Sequence, residues 1–554
     1  MNEGVTDYME TFDYLVVGAG SAGCAIASRL AEDPAVTVAL IEAGPTDHHM
    51  SIWMPIGMAS TVRNAGPRNY GYYTVPQPGF NGRQGYQPRG KGLGGSSSIN
   101  GMVYIRGHRN DYDDWARLGC TGWGYEDVLP YFRRSEHHED YSGRDDNRWH
   151  GGTGPLRVSN LRSPSPFSRR FIDAAIQAGY RPNSDFNGAD QEGAGFYHVT
   201  QHRGERWNSA RAYLHQGNAG DKTLSGGRSN LSVLVETQVL RINFDGRRAT
   251  GLTVVRGGVE QKLAARREVI VSAGAFNSPQ LLLASGVGPA RELFDMGIHV
   301  VADLPGVGRN LQDHPDVILN KQVHSLDLFG HSFGGFVKLS MELLRYRRKR
   351  TGMPSSNFAE AGAFIKSRQG LAAPDIQLHF ITALLNHGSD RKKLGHGYSC
   401  HACVLRPKSV GEVRLRSPDM REAPVIDPRF LSHEEDMTVM VAGVRAIRRI
   451  FAQQALASAG GRELFTDEFG PGDGDQQAIE AFVRERTDSV YHPVGTCKMG
   501  VDDMAVVDPA LRVRGVQGLR VVDASIMPTL VAGNTNAPAI MIAEKAADLI
   551  RAGD

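Results

Sequence analysis

The sequence has few cysteines, no long apolar run and almost no excess charge. Its five cysteines are too few for a disulfide framework in a chain of 554 residues, and an odd number fits a reducing compartment. Sixty-two basic and 60 acidic residues leave a net charge of +2, which gives no argument for nucleic acid as a partner. No apolar run approaches the roughly 18 residues that cross a bilayer. These absences argue against a disulfide-rich secreted protein, a nucleic-acid-binding protein and a transmembrane protein.

The first residues, "MNEGVTDYMETF", are acidic and polar, so they do not predict a signal peptide. We therefore expect a cytoplasmic protein. Glycine is abundant instead, with 65 residues, and glycine serves tight turns and places where the backbone closely approaches a ligand. The length predicts two or three domains.

The stretch "YLVVGAGSAGCAIASRLAE" predicts a dinucleotide-binding unit. Residues 14–17 are a short apolar run typical of a buried parallel strand, and residues 22–31 have the spacing of a helix. Between them, three glycines fit the pattern G-x-G-x-x-G: Gly18, Gly20 and Gly23. The second apolar strand, "VTVALIEAG", ends at Glu42, where a carboxylate can bind ribose hydroxyls. The pattern does not distinguish FAD from NAD.

Three further segments have the composition of ligand-contacting loops. "PRGKGLGGSSSINGMVYIRG" (88–107) is a glycine and serine loop followed at once by apolar residues. "GAFNSPQLLLASGVG" (274–288) follows the apolar strand "EVIVSAG". "GLRVVDASIMPTLVAGNTNAPAIMIAEKAADLI" (518–550) predicts a strand, a turn with Asp523 and a helix that begins near Asn536.

Together with "DLPGVGRNLQDHP" and "YHPVGTCKMG", these segments stand in the order found in the glucose–methanol–choline oxidoreductase family. From about residue 12 to the C-terminus, the chain resembles this family. Within the family it is most similar to the alcohol dehydrogenases of bacterial alkane-oxidation pathways and to choline dehydrogenase.

The resemblance implies that the chain binds FAD. Some choline oxidases attach the flavin through a histidine directly before the asparagine of the "GG" loop, and here that position is Ile99. We therefore expect noncovalent FAD and no metal. The residues expected to bind FAD are Gly18, Gly20, Ser21, Ala22, Gly23, Glu42, Ala43, Arg89, Gly95, Ser96, Asn100, Gly101, Met102, Val103, Val239, Ser272, Ala273, Gly274, Asp523, Ala524, Asn536, Ala537 and Pro538.

The resemblance also gives a role to His492 in "RTDSVYHPVGTCKMG". A neutral imidazole can take the hydroxyl proton of an alcohol near pH 7 while the α-carbon gives hydride to flavin N5. We predict His492 as this base and Asn536 as the group that hydrogen-bonds the substrate oxygen, although Asn536 also suits an N-cap. The dipole of the helix that starts there is expected to stabilise negative charge on the flavin.

The resemblance leaves the substrate and the electron acceptor open. An aliphatic or aromatic primary alcohol with a quinone-type acceptor is the leading prediction. Choline as substrate, oxygen as acceptor, and a lyase that keeps FAD without redox use are the alternatives. The oligomeric state is also open.

We predict an α/β fold with a Rossmann-like FAD-binding domain of parallel strands and helices. Because its motifs lie at both ends and in the middle of the chain, this domain is discontinuous and comprises residues 10–160, 228–316 and 490–554. The substrate domain takes residues 161–227 and 317–489, with a mainly antiparallel sheet flanked by helices.

Three other patterns suggest alternatives. "GHSFGG" fits the nucleophile elbow of a serine hydrolase, with Ser332 as nucleophile, but the segment before it is a poor strand. Cys400 and Cys403 have metal-ligand spacing, yet on a strand their side chains point to opposite faces, so we expect two core cysteines. Residues 339–350, "LSMELLRYRRKR", are basic and amphipathic, which suits either a solvated helix or peripheral contact with the inner membrane.

Overall fold

The computed structural model describes residues 10–215, 224–385, 395–470 and 474–553. Its α-helices are α1 (Ser21–Leu30), α2 (Met50–Trp53), α3 (Met58–Thr61), α4 (Arg109–Arg117), α5 (Tyr125–Ser135), α6 (Pro166–Gln177), α7 (Ser209–Tyr213), α8 (Gly274–Ala284), α9 (Ala290–Asp295), α10 (Phe333–Lys349), α11 (Glu434–Phe451), α12 (Gln454–Ala457), α13 (Gln476–Arg486) and α14 (Asn536–Ala552).

Its strands are β1 (Glu10–Val17), β2 (Val38–Ile41), β3 (Tyr72–Tyr73), β4 (Tyr86–Gln87), β5 (Glu136–His138), β6 (Leu156–Val158), β7 (Gly193–Phe196), β8 (Gln201–His202), β9 (Glu205–Arg206), β10 (Leu231–Leu234), β11 (Thr237–Asp245), β12 (Arg248–Arg256), β13 (Val259–Val271), β14 (Val287–Gly288), β15 (Ala302–Asp303), β16 (Arg309–Leu311), β17 (Pro315–Gln322), β18 (Ala359–Ile365), β19 (Ile376–Ile381), β20 (Gly397–Val404), β21 (Gly411–Arg414), β22 (Val425–Asp427), β23 (Arg462–Leu464), β24 (Asp488–Ser489) and β25 (Leu519–Val521).

The first sheet is mainly parallel and has the order β10-β2-β1-β13-β12-β11, with β25 also paired to β13. Strands β10, β2, β1 and β13 run parallel to one another, and β25 is parallel to β13. Strands β11 and β12 continue it as an antiparallel edge. The apolar run predicted as a buried strand is buried over Tyr14–Val17, and α1 connects β1 to its parallel neighbour β2. The carboxyl ends of these strands therefore meet at one edge of the sheet.

The second sheet is antiparallel, with the order β23-β17-β20-β19-β18-β7 and β24 on β17. Its central strands β18, β19 and β20 are buried along their whole length. Residues of α6 and α11 form a hydrophobic core with one face of this sheet. The predicted α/β fold, with a parallel sheet and a mainly antiparallel sheet flanked by helices, is confirmed.

The packing links part of the predicted substrate domain to the core of the first sheet. Residues 161–227 were assigned to the substrate domain, but Trp207, Ala210, Tyr213 and Leu214 belong to the same core as α1 and the first sheet. Helix α7 packs against α1 because its alanine-rich face allows close approach. The segment "RWNSARAYLH" therefore supports the first domain from within the second domain's stretch of sequence.

The two cysteines of "CHAC" lie on β20, as predicted. Cys400 belongs to the core between the second sheet and its helices, and Cys403 belongs to a separate core on the other face. Burial raises the pKa of both thiols, so they are apolar packing groups rather than reactive ones. Among the described residues, no helix is long and apolar enough to cross a membrane.

Candidate functional site

A cavity of about 1700 Å³ runs from the carboxyl edge of the first sheet to the second sheet. It exceeds the roughly 300–1,000 Å³ that suits a drug-sized ligand, so it has room for a large cofactor and a substrate together. The end beside the first sheet is lined by loops rich in glycine and is called the glycine end. The other end is covered by the second sheet and nearby loops and is called the roof, with Ile318, Phe329, Phe358, His379, Ile381 and His401.

The glycine end begins at the turn between β1 and α1. Gly18 has φ +95°, a conformation that favours glycine, and a Cβ on Gly23 would lie 1.8 Å from the Gly18 carbonyl oxygen. Helix α1 can therefore approach its strand only because residue 23 lacks a side chain. Gly20 is different, because a Cβ there would meet no protein atom within 4 Å and would project into the cavity. The first turn of α1 is thus open to a ligand, and helix N-termini favour phosphate groups.

The loop that contains Gly94 and Gly95 crosses the turn between β1 and α1. The Gly94 N–H donates to the Ala19 carbonyl at 2.8 Å, and a Cβ on Gly95 would lie 2.7 Å from the Gly20 Cα. Two backbone segments thus meet without intervening side chains, which forms a narrow cradle at this end of the cavity. Such a cradle fits the pyrophosphate of a dinucleotide, as the sequence predicted.

Glu42 lies at the end of β2, borders the cavity and is buried. Its carboxylate accepts hydrogen bonds from the N–H groups of Ala19, Gly44 and Gly92 at 2.8–2.9 Å. Burial raises the pKa of Glu42, and the three N–H donors oppose that shift. Glu42 therefore fastens both glycine loops to β2, and a carboxylate with about four acceptor positions retains one for a ribose hydroxyl.

Asp523 joins two further segments that border the glycine end. Its carboxylate accepts from the Gly274 N–H at 2.8 Å and from the Ser278 hydroxyl at 2.5 Å, which ties the start of α8 to the loop after β25. Ser272 donates its hydroxyl to the Val522 carbonyl at 2.8 Å. These bonds bring segments 272–274 and 523–524 to the same wall.

His492 borders the cavity and lies in a chain of ring hydrogen bonds. His314 Nε2 is 3.2 Å from the Leu405 carbonyl oxygen, which can only accept, so this nitrogen carries a proton. Burial lowers the pKa of His314 to about 3, so the ring is neutral and its Nδ1 is an acceptor. His492 Nδ1, 3.0 Å away, must then donate to it. A neutral His492 therefore has its lone pair on Nε2.

The environment keeps His492 neutral. Burial lowers its pKa well below 6.5, and the neighbouring His314 and His379 lower it further. With this tautomer Asn534 Nδ2 donates to His492 Nε2 at 3.2 Å, so a hydrogen-bond donor and an acceptor lie side by side at the cavity wall. That pair can accept the proton of a hydroxyl group and donate to its oxygen.

The structure places Asn534, and not the predicted Asn536, beside His492. Asn536 is the first residue of α14, with Thr535 as the N-cap, and its Oδ1 accepts from the Ser21 hydroxyl at 2.8 Å. Asn534 precedes the helix, and its amide nitrogen is the one that lies beside His492. The geometry favours Asn534 over Asn536 as the partner of a substrate oxygen, and this contact stays a prediction. The alternative of an N-cap at Asn536 is wrong.

Buried Asp313 and half-buried Arg89 hold the loop that carries His492. Asp313 Oδ1 accepts from the backbone N–H groups of His492 at 2.7 Å and of His314 at 2.9 Å. Its pKa is raised to about 6 by burial, against the lowering effect of these bonds and of Arg89. Arg89 donates through Nη2 to the Tyr491 carbonyl at 2.6 Å. His492 is therefore held by its backbone as well as by its ring.

The roof combines apolar side chains with histidines. Ile318, Phe358 and Ile381 border the cavity there. His379 on β19 and His401 on β20 are paired in register, and burial lowers the pKa of each to about 3. The His401 ring also lies beside a buried carboxylate, because its Nδ1 is 2.6 Å from Asp316 Oδ2, and this contact favours a proton on Nδ1.

Nearly all of the residues predicted to bind FAD border the cavity. The exceptions are Gly23, which lies at the crossing of α1 and β1, and Ala537 and Pro538, which are buried within the first turn of α14. Asn100 borders the cavity, but its Oδ1 accepts from the Met102 N–H and from Arg206. The sequence analysis missed Asp313, His314 and Asn534, although the first two stand in "LQDHP" and the third in "GNTNAP".

Two other side-chain clusters resemble different kinds of site. The Ser332 hydroxyl lies 2.7 Å from His396 Nε2, but no strand precedes Ser332 and His396 Nδ1 faces the Leu328 carbonyl rather than a carboxylate. Within the described residues, one cluster has metal-ligand spacing: Asp47, His48 and His215. Its carboxylate is already paired, with His215 Nε2 at 2.8 Å and Asn208 Nδ2 at 3.0 Å.

Comparisons with known proteins agree with this geometry. Models of the GMC oxidoreductase family match residues 12–316 and 407–543. The chain is 45% identical to an alcohol dehydrogenase (acceptor) of Pseudomonas putida, over 97% of this chain and 95% of that protein. It is 46% identical to a mitochondrial choline dehydrogenase of Mus musculus, over 98% of this chain and 90% of that protein.

Among solved structures, a formate oxidase variant of Aspergillus oryzae, studied for FAD modification, superposes with a TM-score of 0.87. The two sequences are 28% identical, and the alignment covers 98% of this chain and 99% of that one. The family matches span well over half of the chain, and both curated relatives are aligned over nearly all of it. The chain therefore belongs to the GMC oxidoreductase family.

Proposed function

We propose that this chain is an FAD-dependent alcohol dehydrogenase that oxidises a primary alcohol to an aldehyde. The observation that carries the proposal is the lone pair of His492 Nε2, held at the cavity wall by the chain from Leu405 through His314. The family, the cradle at the glycine end and the relation to a formate oxidase studied for FAD modification support FAD as cofactor.

The FAD is noncovalent, and the glycine end holds it in a Rossmann-type dinucleotide site. Ile99 borders the cavity at the position expected for covalent attachment, and its side chain offers no nucleophile. Bound FAD supplies an acceptor for the hydride of the alcohol. His492 Nε2 takes the hydroxyl proton, and Asn534 Nδ2 donates a hydrogen bond that keeps the oxygen in place. The N-terminus of α14 borders the same cavity and stabilises negative charge there.

An aliphatic or aromatic alcohol suits the roof better than choline does. The roof lining is mostly apolar, and the nearby carboxylate of Asp316 is paired with His401 at 2.6 Å. The carboxylates bordering the described cavity are Glu42, Asp488 and Asp523, and each accepts hydrogen bonds from backbone N–H groups. A trimethylammonium group is usually met by aromatic faces and a carboxylate. Choline remains the second candidate because the choline dehydrogenase is as similar as the alcohol dehydrogenase.

The acceptor is a quinone rather than oxygen, and the protein is cytoplasmic with peripheral contact to the inner membrane. The relation to an alcohol dehydrogenase named for a separate acceptor supports the first point. The basic residues at the end of α10 support the second.

An anaerobic flavin titration tests the proposal. Purified protein is mixed with 1-octanol, benzyl alcohol or choline in separate cuvettes, and the visible flavin band is recorded. We expect bleaching by octanol or benzyl alcohol and slow return of the band in air, with fast return on adding a soluble quinone. Bleaching by choline alone would show that choline, and not an aliphatic or aromatic alcohol, is the substrate. Fast return of the flavin band in air would show that oxygen is the acceptor and that the enzyme is an oxidase. A flavoprotein that no alcohol bleaches would refute alcohol oxidation and favour the lyase.

A further inference from the structure

Helix α10 exposes large apolar side chains to solvent. Phe333 is 85% exposed, Phe336 70% and Leu344 63%, and Val337 and Met341 are also exposed. Tyr346 is the one residue of the helix that is buried, and its hydroxyl donates to the Gly204 carbonyl. Exposed apolar residues are ordinary when single, but a cluster of this size on one element marks an interaction site.

The exposed side chains form a stripe on one side of α10. At 100° per residue, positions 333, 336, 337, 341 and 344 fall within a sector of about 140°, and Tyr346 lies on the opposite side. The helix therefore packs onto the protein through its Tyr346 side and turns its apolar side outward. This is the reverse of the usual arrangement in a surface helix.

Basic side chains accompany the apolar stripe. Residues 333–350 contain six basic residues and one acidic residue, Glu342. Lys338 and Arg345 pair with Asp327 and Glu342. The other three basic residues of the helix, Arg347, Arg348 and Lys349, are exposed, and none of them pairs with an acidic residue in the part of the chain that the structure describes. Two copies of such a face would bring like charges together, whereas an anionic surface would neutralise them.

The same helix borders an opening of the active-site cavity. His331, Ser332 and Phe336 line the cavity and are themselves exposed, so the cavity reaches the surface where α10 begins. Phe336 thus belongs both to the cavity wall and to the apolar stripe. Phe329 and Leu339 line the cavity beside it.

We propose that the outer side of α10 docks on an anionic lipid surface and that the adjacent opening admits apolar alcohol from the lipid. The substrate half of this inference rests on the proposed function, whereas the docking half rests on α10 alone. Helices with apolar residues on one side and basic residues beside them lie in the boundary between headgroups and acyl chains. Long-chain alcohols concentrate in that same layer because burial of each methylene is favourable.

Vesicle co-sedimentation of the flavin-loaded protein tests the docking. We expect binding to phosphatidylglycerol–phosphatidylcholine vesicles at low salt, weaker binding as salt rises, and much weaker binding to phosphatidylcholine alone. The Phe333→Ser/Leu344→Ser variant should bind anionic vesicles at least about tenfold more weakly, since two large apolar side chains are lost. Arg347→Gln/Arg348→Gln should weaken binding and reduce its salt dependence. The matched control is Phe294→Ser, which changes a residue on α9 that is 75% exposed.

Several outcomes would overturn the docking. Protein that stays in the supernatant with anionic vesicles at low salt has no such surface, and equal binding by the Phe333/Leu344 variant would move the surface elsewhere. A wild-type dimer in solution that the same variant converts to monomer would identify a second copy as the occupant.

Delivery of alcohol from the lipid is tested separately, by the rate at which the enzyme oxidises an alcohol presented in vesicles. The Phe333→Ser/Leu344→Ser variant should oxidise 1-dodecanol presented in vesicles at least about fivefold more slowly, while flavin reduction by benzyl alcohol in free solution is unchanged. Equal rates with dodecanol would refute delivery through this opening. If benzyl alcohol fails to bleach the flavin while vesicle binding persists, the proposed function fails and the docking surface stands.

Discussion

At the glycine end of the cavity the lining is largely backbone, because Gly18, Gly20 and Gly95 leave no side chain in the way. At the roof the lining consists of side chains from β17, β19 and β20, which come from distant parts of the sequence. The glycine end therefore suits a ligand whose phosphates need only backbone N–H groups, whereas the roof is shaped residue by residue for a particular molecule. The proposed site of chemistry lies between them, at His492 and Asn534.

The largest expected effect is on the reaction step, and it leaves both ends of the cavity unchanged. Replacing His492 by Gln should lower the rate of anaerobic flavin reduction by alcohol about 10²–10⁴-fold, the usual contribution of a positioned base. The protein should keep a full complement of FAD, because the glycine end is untouched. Stopped-flow reduction and the flavin-to-protein ratio are measured on the same preparation. A rate near that of the wild type would mean that another group takes the proton.

The second change acts on the glycine end alone. In Gly23→Ala the new methyl would lie 1.8 Å from the Gly18 carbonyl oxygen, so α1 must move away from β1. We expect a cost of about 3 kcal/mol or more, at the upper limit of ordinary overpacking, and at least tenfold less bound FAD. Released flavin and thermal unfolding are the measurements. Gly66→Ala, where a Cβ meets nothing within 4 Å, is the control, and full flavin content in Gly23→Ala would contradict the close approach.

The third change tests how His314 orients the ring of His492. His314→Leu removes the acceptor of the His492 Nδ1 proton and leaves a buried donor unpaired, at a cost of about 1–3 kcal/mol. We expect kcat to fall about 10–100-fold with little change in KM, since the loss is of an interaction needed in the reaction step. His314→Gln should restore part of the rate because its amide oxygen can accept the same proton.

A purely structural role for His314 would not give this pattern. It would lower stability in both variants without separating Leu from Gln in kcat. His324→Leu, a change at an exposed histidine, serves as the control for loss of an imidazole.

The same contrast explains what the sequence could predict. The spacing of Gly18, Gly20 and Gly23 fixes a local turn, and Glu42 follows at the end of the next strand, so the glycine end was predicted in detail. His492 came from the family motif. His314 could not be assigned, because its role depends on a carbonyl 91 positions away at Leu405. Asn534 and Asn536 could not be separated, because the choice depends on the residue at which α14 begins.

The roof shows the same limit more strongly. Ile318 and Ile381 are ordinary core residues by composition, and only the register of the second sheet brings them to the cavity. A local pattern thus predicts a ligand that many proteins share, while the substrate is encoded by tertiary packing.

The smallest expected effect compares substrate binding at the roof with cofactor binding at the glycine end of this cavity. Ile381→Ala at the roof and Val239→Ala at the glycine end both remove methyl groups from the same lining. If the roof selects an apolar alcohol, Ile381→Ala should raise the KM for 1-octanol about tenfold, because a buried Ile contributes about 1.5–3 kcal/mol. The KM for benzyl alcohol should rise less, since a shorter substrate fills less of the roof. Val239→Ala should leave both KM values unchanged and weaken only FAD binding.

Steady-state kinetics with a soluble quinone give the KM values, and release of flavin on dilution reports the cofactor. Equal KM changes in the two variants would mean that the substrate extends along the whole cavity, and the division into two ends would fail.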